Sequence, residues 1–251
     1  MKRRTSFVAA GLVFGALAGL GARVYQRRTR ERVSGWEGLD APDVAAAFNW
    51  VSRFPQFALM RWLIARRAAA MQSEGQAADL GCGPGYLALE LAHQAPGLRV
   101  VGIDLSDEML AEAEAQALWR GADDRISFMK GDVRRIPLPD GSLDLIVSTL
   151  SLHHWGNPVE VLDEIDRVLR PGGSFLIADL RRDLAPPFYL LIWFATRVVV
   201  PRALKRVNEP LGSRDSAYTP EEAAALARRS RLTGWRITRG PMWLIIEGHK
   251  R

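Results

Sequence analysis

Residues 79–85 read Asp-Leu-Gly-Cys-Gly-Pro-Gly, and no other stretch of the chain says as much about its fold. The segment before it, 76–80, can serve as a short buried strand, and a helical pattern follows over 86–94. Three glycines in seven residues let the backbone turn sharply and approach a ligand with no side chain in the way. The pattern therefore predicts a strand, a bare bend and a helix, with the carboxylate of Asp79 at the end of the strand.

The spacing of these glycines distinguishes between possible ligands. A dinucleotide site has the pattern G-x-G-x-x-G, whereas this bend has G-x-G-x-G, and Tyr86 stands where the third dinucleotide glycine would fall. The carboxylate of Asp79 would repel a pyrophosphate but attract a ligand with a positive group. A nucleoside that carries such a group fits better, which indicates S-adenosylmethionine. A glycine turn without any ligand is the structural alternative.

Two later strands also end in acidic residues. The apolar segment 98–104 ends at Asp104, where a carboxylate suits a bidentate hydrogen bond to the two hydroxyls of a ribose. Segment 125–129 leads into Gly131-Asp132, where a carboxylate can accept a hydrogen bond from an adenine amino group. Because the carboxyl ends of parallel strands meet at one edge of a sheet, we expect the three acids to surround one nucleoside. Each acid alone could also be a surface cap.

Strand and helix patterns alternate from 76 to 180, which is typical of a sheet covered by helices on both faces. Together with the three acids, this order resembles the class I S-adenosylmethionine-dependent methyltransferases, strongly over 76–173 and loosely elsewhere. The segments that carry the resemblance are the first motif (79–85), the ribose-binding strand (101–104), the adenine-side motif (131–132), the fourth strand (143–147), the loop facing the methyl group (148–154) and the turn before the fifth strand (169–173). Within this family the chain is most similar to the small-molecule branch that includes the ubiquinone and menaquinone C-methyltransferases and sterol-type enzymes.

The resemblance implies an α/β fold, namely a Rossmann-like doubly wound sheet that is mostly parallel, with an antiparallel C-terminal hairpin and a helical N-terminal extension. It also implies in-line transfer of a methyl group from S-adenosylmethionine to a small acceptor. The residues then expected to bind this cofactor are Asp79, Leu80, Gly81, Cys82, Gly83, Gly85, Asp104, Leu105, Met109, Gly131, Asp132, Val133 and Ser148.

Two adjacent histidines follow the predicted fourth strand, in the loop that faces the methyl group in this family. A general base is needed only if the acceptor carries a proton, and His153, with His154 second, is the candidate for that role. A purely structural role for the pair is the alternative. The lone cysteine, Cys82, cannot form an internal disulfide, and the histidines and cysteine show no metal-ligand spacing, so no metal is expected.

Changes in composition predict how the chain divides into regions. Residues 1–34 form a hydrophobic anchor and basic linker, and 35–251 form the methyltransferase domain. Within this domain the sequence predicts a helical lid or extension (35–74), a cofactor-binding core (76–180), an apolar insertion that covers the substrate (181–215), and a last helix with two edge strands (216–251). An aromatic-rich insertion of this kind predicts an apolar, lipid-like acceptor, and ordinary packing onto the sheet is the alternative.

An uncharged run occupies residues 5–22, between basic residues at 2–4 and an arginine-rich segment. Eighteen helical residues span about 27 Å, slightly less than a hydrocarbon core of about 30 Å. We expect an N-terminal membrane anchor with the catalytic domain in the cytoplasm, because arginines are more numerous after the run than before it. A cleaved signal and a helix packed on the domain are alternatives. Gly11, Gly15 and Gly19 form one smooth stripe that could support a homo-oligomer in a bilayer.

The formal net charge of +6 could attract either RNA or anionic lipid head groups. No RNA-binding module is visible, and no Asn-Pro-Pro-Tyr type tetrapeptide follows the fourth strand, so nucleic acid is not the expected partner. An RNA methyltransferase, and a cofactor-binding membrane scaffold without catalysis, are the competing interpretations.

Overall fold

A seven-stranded sheet forms the centre of the structure, a computed structural model that describes residues 32–33, 41–122 and 124–251. The strands are β1 (Glu74–Leu80), β2 (Gly97–Asp104), β3 (Ile126–Lys130), β4 (Leu143–Thr149), β5 (Leu169–Leu180), β6 (Trp235–Arg239) and β7 (Trp243–His249). They lie in the order β3-β2-β1-β4-β5-β7-β6. The first five strands are parallel, whereas β7 runs antiparallel to both β5 and β6. The predicted sheet and its antiparallel C-terminal hairpin are therefore confirmed.

Helices flank the sheet, and local sequence explains where several of them begin. Ser106 Oγ accepts the amide of Met109 at the start of one helix, and Thr219 forms a reciprocal capping box with Glu222 at the start of another. Short 3-10 turns occur at Val133–Arg135 and Leu152–His154. The helices are α1 (Pro42–Ser52), α2 (Pro55–Met71), α3 (Tyr86–Gln94), α4 (Asp107–Trp119), α5 (Pro158–Val168), α6 (Pro186–Val198), α7 (Arg202–Arg206), α8 (Leu211–Ser216) and α9 (Pro220–Arg229).

Apolar side chains are buried on both faces of the sheet. Leu145 belongs to the core layer that includes Leu91 of α3, and its neighbour Ile146 belongs to the layer that includes Leu162 and Ile165 of α5. Full burial of one such side chain stabilises a fold by about 1.5–3 kcal/mol. The two layers therefore fix the central strands β1 and β4, which carry the site at their ends.

The strand order reverses at β1, because β2 and β3 lie on one side of it and β4 and β5 on the other. At such a point the connecting segments leave in opposite directions and open a crevice at the carboxyl ends of the strands. The amides of Gly81 and Cys82 both donate to the carbonyl of Ile103, at 2.8 and 3.1 Å. The amide of Gly131 donates to the carbonyl of Asp104 at 2.9 Å. These bonds bring the ends of β1, β2 and β3 level at one edge.

The predicted lid and apolar insertion contain α1–α2 and α6–α8, respectively. In the described ranges, no helix combines the length and the apolar character that a bilayer span requires. The predicted anchor over 5–22, with its glycine stripe, lies outside these ranges. The boundaries between the regions stay predictions.

Candidate active site

The glycine bend after β1 needs glycine for two different reasons. Gly81, Gly83 and Gly85 all have left-handed φ angles, of +67°, +50° and +74°. A Cβ at Gly81 would lie 2.1 Å from Ser151 Oγ, and one at Gly85 would lie 2.8 Å from the Phe128 ring, so neighbouring side chains occupy those sides. A Cβ at Gly83 would meet nothing within 4 Å. The backbone at Gly83 is therefore open to a ligand.

Asp79 is an acidic residue buried at the end of β1. Its residue is 1% exposed, and neither oxygen has a hydrogen bond of good geometry among the described residues. Burial, followed by the charge of Asp104, raises its pKa to about 8, with the amide of Ala88 opposing the rise. Leaving such a group unpaired in a protein interior is costly. A cationic ligand in the crevice would provide the missing partner, which fits the predicted role of Asp79.

Asp104 shapes the bend from the end of β2. Its Oδ2 accepts the amide of Gly83 at 2.8 Å, and its Oδ1 accepts the amide of Ser106 at 3.0 Å. The carboxylate therefore links the glycine bend to the start of α4. Next to it, Leu105 exposes 57% of its surface at this edge, whereas Met109 is buried.

The third acid, Asp132, is engaged by a neighbour that the sequence pattern did not reveal. Its Oδ1 accepts the amide of Arg134 at 2.8 Å, and its Oδ2 lies 2.6 Å from the guanidinium of the same residue. The hydrogen bond from Arg134 lowers the pKa of Asp132. Gly131 is needed for packing, since a Cβ there would lie 2.9 Å from Ile103 and from Pro137. Asp132 and Val133 thus lie at the expected edge, but Asp132 already has a cationic partner.

Three other predicted cofactor residues, Leu80 and Cys82 of the bend and Ser148 of β4, are buried. Ser148 is fully buried, and its hydroxyl donates to the carbonyl of Leu80 at 2.7 Å, which ties β4 to β1. Leu80 itself is fully buried in the core. Burial raises the pKa of Cys82 well above its usual range, so this thiol stays protonated. In this structure Leu80 and Ser148 support the site from below; a direct contact of either with the cofactor stays a prediction.

His153 and Asp179 form a buried pair beside the bend. The Nδ1 atom of His153 lies 2.8 and 2.9 Å from the two carboxylate oxygens of Asp179, and its backbone amide donates to Asp179 Oδ2 at 2.8 Å. Because a carboxylate only accepts, Nδ1 carries the hydrogen and Nε2 carries the lone pair. Nε2 is buried and has no partner in the part of the chain that the structure describes. Burial opposes protonation of His153, but Asp179 outweighs it and raises the pKa.

His154 lies next to His153 in a different electrostatic state. The two ring centroids are 4.1 Å apart. Burial, followed by the charge on His153, lowers the pKa of His154 to about 3. A base that weak holds no proton near neutral pH. Of the two candidates, His153 therefore has the chemistry of a general base.

The loop that carries these histidines is held in a strained conformation. Leu150 has a φ of +53°, which costs a residue other than glycine about 1–3 kcal/mol. Its amide donates to the carbonyl of Ala178 at 2.9 Å. The Oγ atom of the next residue, Ser151, accepts a hydrogen bond from the indole N–H of Trp155 at 2.9 Å and lies against Gly81. The strain is the cost of placing the histidine turn directly over the glycine bend.

A polar cluster holds α1 beside the bend. The hydroxyl of Tyr86, the first residue of α3, donates to Asn49 Oδ1 at 2.6 Å, and Arg53 Nε donates to the same hydroxyl at 3.0 Å. Asn49 also donates to Glu112 of α4. The predicted lid is thus attached to the helix that follows the glycines. Sequence reasoning missed this cluster, although a polar Asn49 on an otherwise apolar helix face was its visible signal.

On the opposite side, Arg32 and Glu209 border the histidine turn. Arg32 donates to the carbonyls of Ser216, at 2.7 Å, and His153, at 3.2 Å, and its guanidinium lies 4.2 Å from the centre of the Tyr218 ring. Burial raises the pKa of Glu209, whose charge acts on His153. The predicted insertion therefore contributes a partly buried carboxyl group to this side of the site.

Known proteins are similar to this chain in sequence. The family described as "Methyltransferase domain" matches residues 78–177. A demethylmenaquinone methyltransferase from Thermus thermophilus is 31% identical over 189 residues, which cover 73% of this chain and 82% of that protein. A ubiquinone/menaquinone biosynthesis C-methyltransferase from Syntrophotalea carbinolica is 28% identical over 193 residues, which cover 76% of this chain and 79% of that protein.

Solved structures share the fold at lower identity. A protein described as an S-adenosyl-L-methionine-dependent methyltransferase, from Methanococcus maripaludis, has a TM-score of 0.65 and 24% identity, over 85% of this chain and 96% of its own. Phosphoethanolamine N-methyltransferase 2 from Haemonchus contortus, solved with S-adenosyl-L-methionine, has a TM-score of 0.65 and 17% identity, over 85% of this chain and 58% of its own.

Proposed function

The chain belongs to the class I S-adenosylmethionine-dependent methyltransferases, and we propose that it methylates a small, apolar, quinone-like acceptor at an atom that loses a proton. The observation that carries the proposal is the buried pair of His153 and Asp179, in which the lone pair of Nε2 has no partner among the residues that the structure describes. Such a pair can act as a general base that takes up a proton beside the reacting atoms.

The sheet edge fits the cofactor of this family. The unpartnered oxygens of Asp79 offer a counter-charge, the backbone at Gly83 allows close approach, and Asp104 fixes the bend between them. These residues would hold S-adenosylmethionine, which supplies an electrophilic methyl group on a sulfonium when it is bound. The rest of the reaction concerns what the chain does with the acceptor.

The proton balance gives each residue of the pair a role. As the acceptor atom forms its bond to the methyl carbon, the carbon–sulfur bond breaks and the acceptor atom gives up its proton. His153 takes that proton at Nε2, and Asp179 stabilises the resulting imidazolium through Nδ1. Alignment in a site that excludes water supplies the remaining acceleration.

Two observations favour an apolar acceptor. The similar protein from Thermus thermophilus is named as a demethylmenaquinone methyltransferase, and the one from Syntrophotalea carbinolica as a C-methyltransferase of ubiquinone/menaquinone biosynthesis. In this chain, α8 of the apolar insertion contacts the histidine turn, and α6 packs on α8. The apolar helix α6 thus lies one helix away from the proposed base, with α8 between them.

Transfer of a labelled methyl group tests the proposal. The protein is incubated with methyl-labelled S-adenosylmethionine and, separately, with a prenylated demethylated naphthoquinol, a short polar catechol and total RNA. We expect label in the prenylated quinol, loss of that label in His153→Gln, and no loss in His93→Gln, which changes an exposed histidine of α3. Preferential labelling of RNA or of the polar catechol would refute the proposed acceptor class. Equal rates for the two variants would refute the role of His153.

A further inference from the structure

Helix α6 presents an apolar face to the outside of the molecule. Its thirteen residues, PPFYLLIWFATRV, include a single charged side chain, yet only Tyr189 and Ile192 are buried. On the opposite side, Leu191, Phe194 and Val198 recur at helical spacing and are 57%, 55% and 62% exposed. A helix that is apolar all round is usually covered on all sides. Within the described part of the chain, nothing covers this one.

The segment that carries this face is basic, and one of its basic residues, Arg206, is paired with Asp43 of α1. Residues 184–208 contain four basic side chains, Arg197, Arg202, Lys205 and Arg206, and no aspartate or glutamate. The guanidinium of Arg197 lies 3.7 Å from the centre of the Trp193 ring, and Lys205 Nζ donates to the carbonyl of Arg197 at 2.8 Å. The cationic groups are therefore gathered at the end of the apolar stripe.

We propose that this docking face, formed by the stripe of Leu191, Phe194 and Val198 together with the flank of Arg197, Arg202 and Lys205, binds the surface of an anionic lipid bilayer. The stripe enters the boundary between head groups and acyl chains, and the cationic flank contacts the lipid phosphates. Charge decides between this occupant and a second copy of the chain. In a two-fold dimer the same patch would face itself and bring like charges together.

The docking face lies one helix away from the histidine pair. Tyr189, on the buried side of α6, lies under the guanidinium of Arg214 of α8, 5.1 Å from the ring centre. Helix α8 in turn contacts the turn that carries His153. The docking face would give a bilayer-soluble acceptor a route to the base, and in this respect the inference rests on the proposed function.

A fluorescent probe at Phe194 tests the docking face directly. The chain has one cysteine, Cys82, which is 8% exposed, so a cysteine placed at position 194 can be labelled selectively with an environment-sensitive nitrobenzoxadiazole dye. Leu118→Cys in α4, at a position that is 84% exposed, is the matched control on another face. Both labelled full-length variants are mixed with vesicles of phosphatidylcholine alone and of phosphatidylcholine with phosphatidylglycerol.

The expected result is a blue shift at position 194 with the anionic vesicles, quenching by nitroxide-labelled lipids, and neither effect at position 118. Replacing Arg202 or Lys205 by Gln should weaken this response about five-fold for each charge removed, since each basic group near such a surface contributes about 1 kcal/mol. If the Phe194→Cys protein is unstable, Leu191→Cys on the same stripe replaces it.

Three results would overturn the inference. These are no response at either stripe position, an equal response at position 118, and a blue shift at 194 before vesicles are added. In the last case, a shift that grows with protein concentration would identify a second copy as the occupant. A shift independent of concentration would identify the chain's own residues outside the described ranges. Because the dye reports insertion rather than turnover, failure here is distinguishable from failure to methylate a quinol.

Discussion

Asp179→Asn gives the sharpest test of the histidine pair, because the structure shows what an amide cannot do there. The two oxygens of Asp179 accept two different backbone amides, that of His153 at 2.8 Å and that of Leu180 at 2.7 Å. An asparagine can accept only one of them with its oxygen, so its NH₂ group faces the other amide. One buried amide then loses its acceptor, which should lower the free energy of unfolding by about 1–3 kcal/mol.

The catalytic effect should exceed what this loss of stability explains. Without the carboxylate, Nδ1 is no longer fixed as the donor, and an imidazole with its hydrogen on Nε2 cannot accept a proton there. We expect kcat to fall about 10²–10⁴-fold, which is the usual contribution of a general base, with little change in affinity for S-adenosylmethionine.

The pH dependence has a definite sign. The base works when neutral, so the rate falls as the pH drops through the pKa of His153. Asp179 raises that pKa; in the variant, burial and the charge of Arg32 lower it, with only the charge of Glu209 opposing them. The acidic limb of the rate profile should therefore move to lower pH in Asp179→Asn.

Initial rates of labelled methyl transfer against pH, with urea unfolding under the same conditions, measure both effects. Asp140→Asn, a matched change at an exposed acid paired with Arg167, should alter neither the rate nor the acidic limb. If Asp179→Asn keeps the full kcat and the acidic limb of its rate profile stays at the same pH, the proposed role of the histidine pair is refuted, whatever the stability of the variant.

Substitutions at Asp79, Gly83 and Ser148 of the same sheet edge give three further predictions, with Gly121→Ala, after α4, as a matched control. In Asp79→Asn, affinity for S-adenosylmethionine should fall about 10–100-fold with the lost charge-assisted contact, as calorimetry would show. Folding raises the pKa of Asp79 from 3.8 to about 8, so the free energy of unfolding of the cofactor-free protein decreases as the pH rises from 3.8 to 8. Urea unfolding at pH 8 should therefore find the Asn variant more stable than the unmodified protein. A less stable variant would contradict this. Gly83→Ala and Gly121→Ala each place a Cβ in open space at a left-handed φ, so each should lower the free energy of unfolding by about 1–2 kcal/mol. Only Gly83→Ala should weaken cofactor binding. Equal binding by the two variants would exclude a ligand at Gly83. Ser148→Ala should cost about 1–3 kcal/mol by removing the buried bond to Leu80 without changing cofactor affinity, and a loss of affinity would instead restore Ser148 as a direct contact.

Local patterns carried the part of the site that the sequence predicted. An apolar strand, the left-handed glycines of the bend at 79–85 and a helix start all lie within about sixteen residues of the chain. Asp104 is predicted in the same way, as an acid at the end of the next strand. The capping box of Thr219 with Glu222 is equally local. Each of these features depends on neighbours along the chain, so its spacing is visible in the sequence.

The parts that were missed depend either on contacts across the sheet or on a local turn that has no sequence pattern. Asp179 meets His153 only because β4 and β5 pair with Thr149 opposite Ala178, a register that no motif specifies. Within the sequence, Asp179 is simply an acid at the end of a strand. Asp132 was correctly placed at the edge, but its partner Arg134 depends on a 3-10 turn, which leaves no periodic pattern.

A protonated Asp79 changes the charge balance when a cationic cofactor enters the crevice. With a pKa of about 8, the empty site holds a hydrogen ion at neutral pH, and an arriving positive charge displaces it. Binding is then an exchange of one cation for another, and the interior never has to carry an uncompensated charge. Occupancy should consequently rise with alkalinity, and the measured heat of association should vary with the ionisation enthalpy of the buffer that receives the displaced ion.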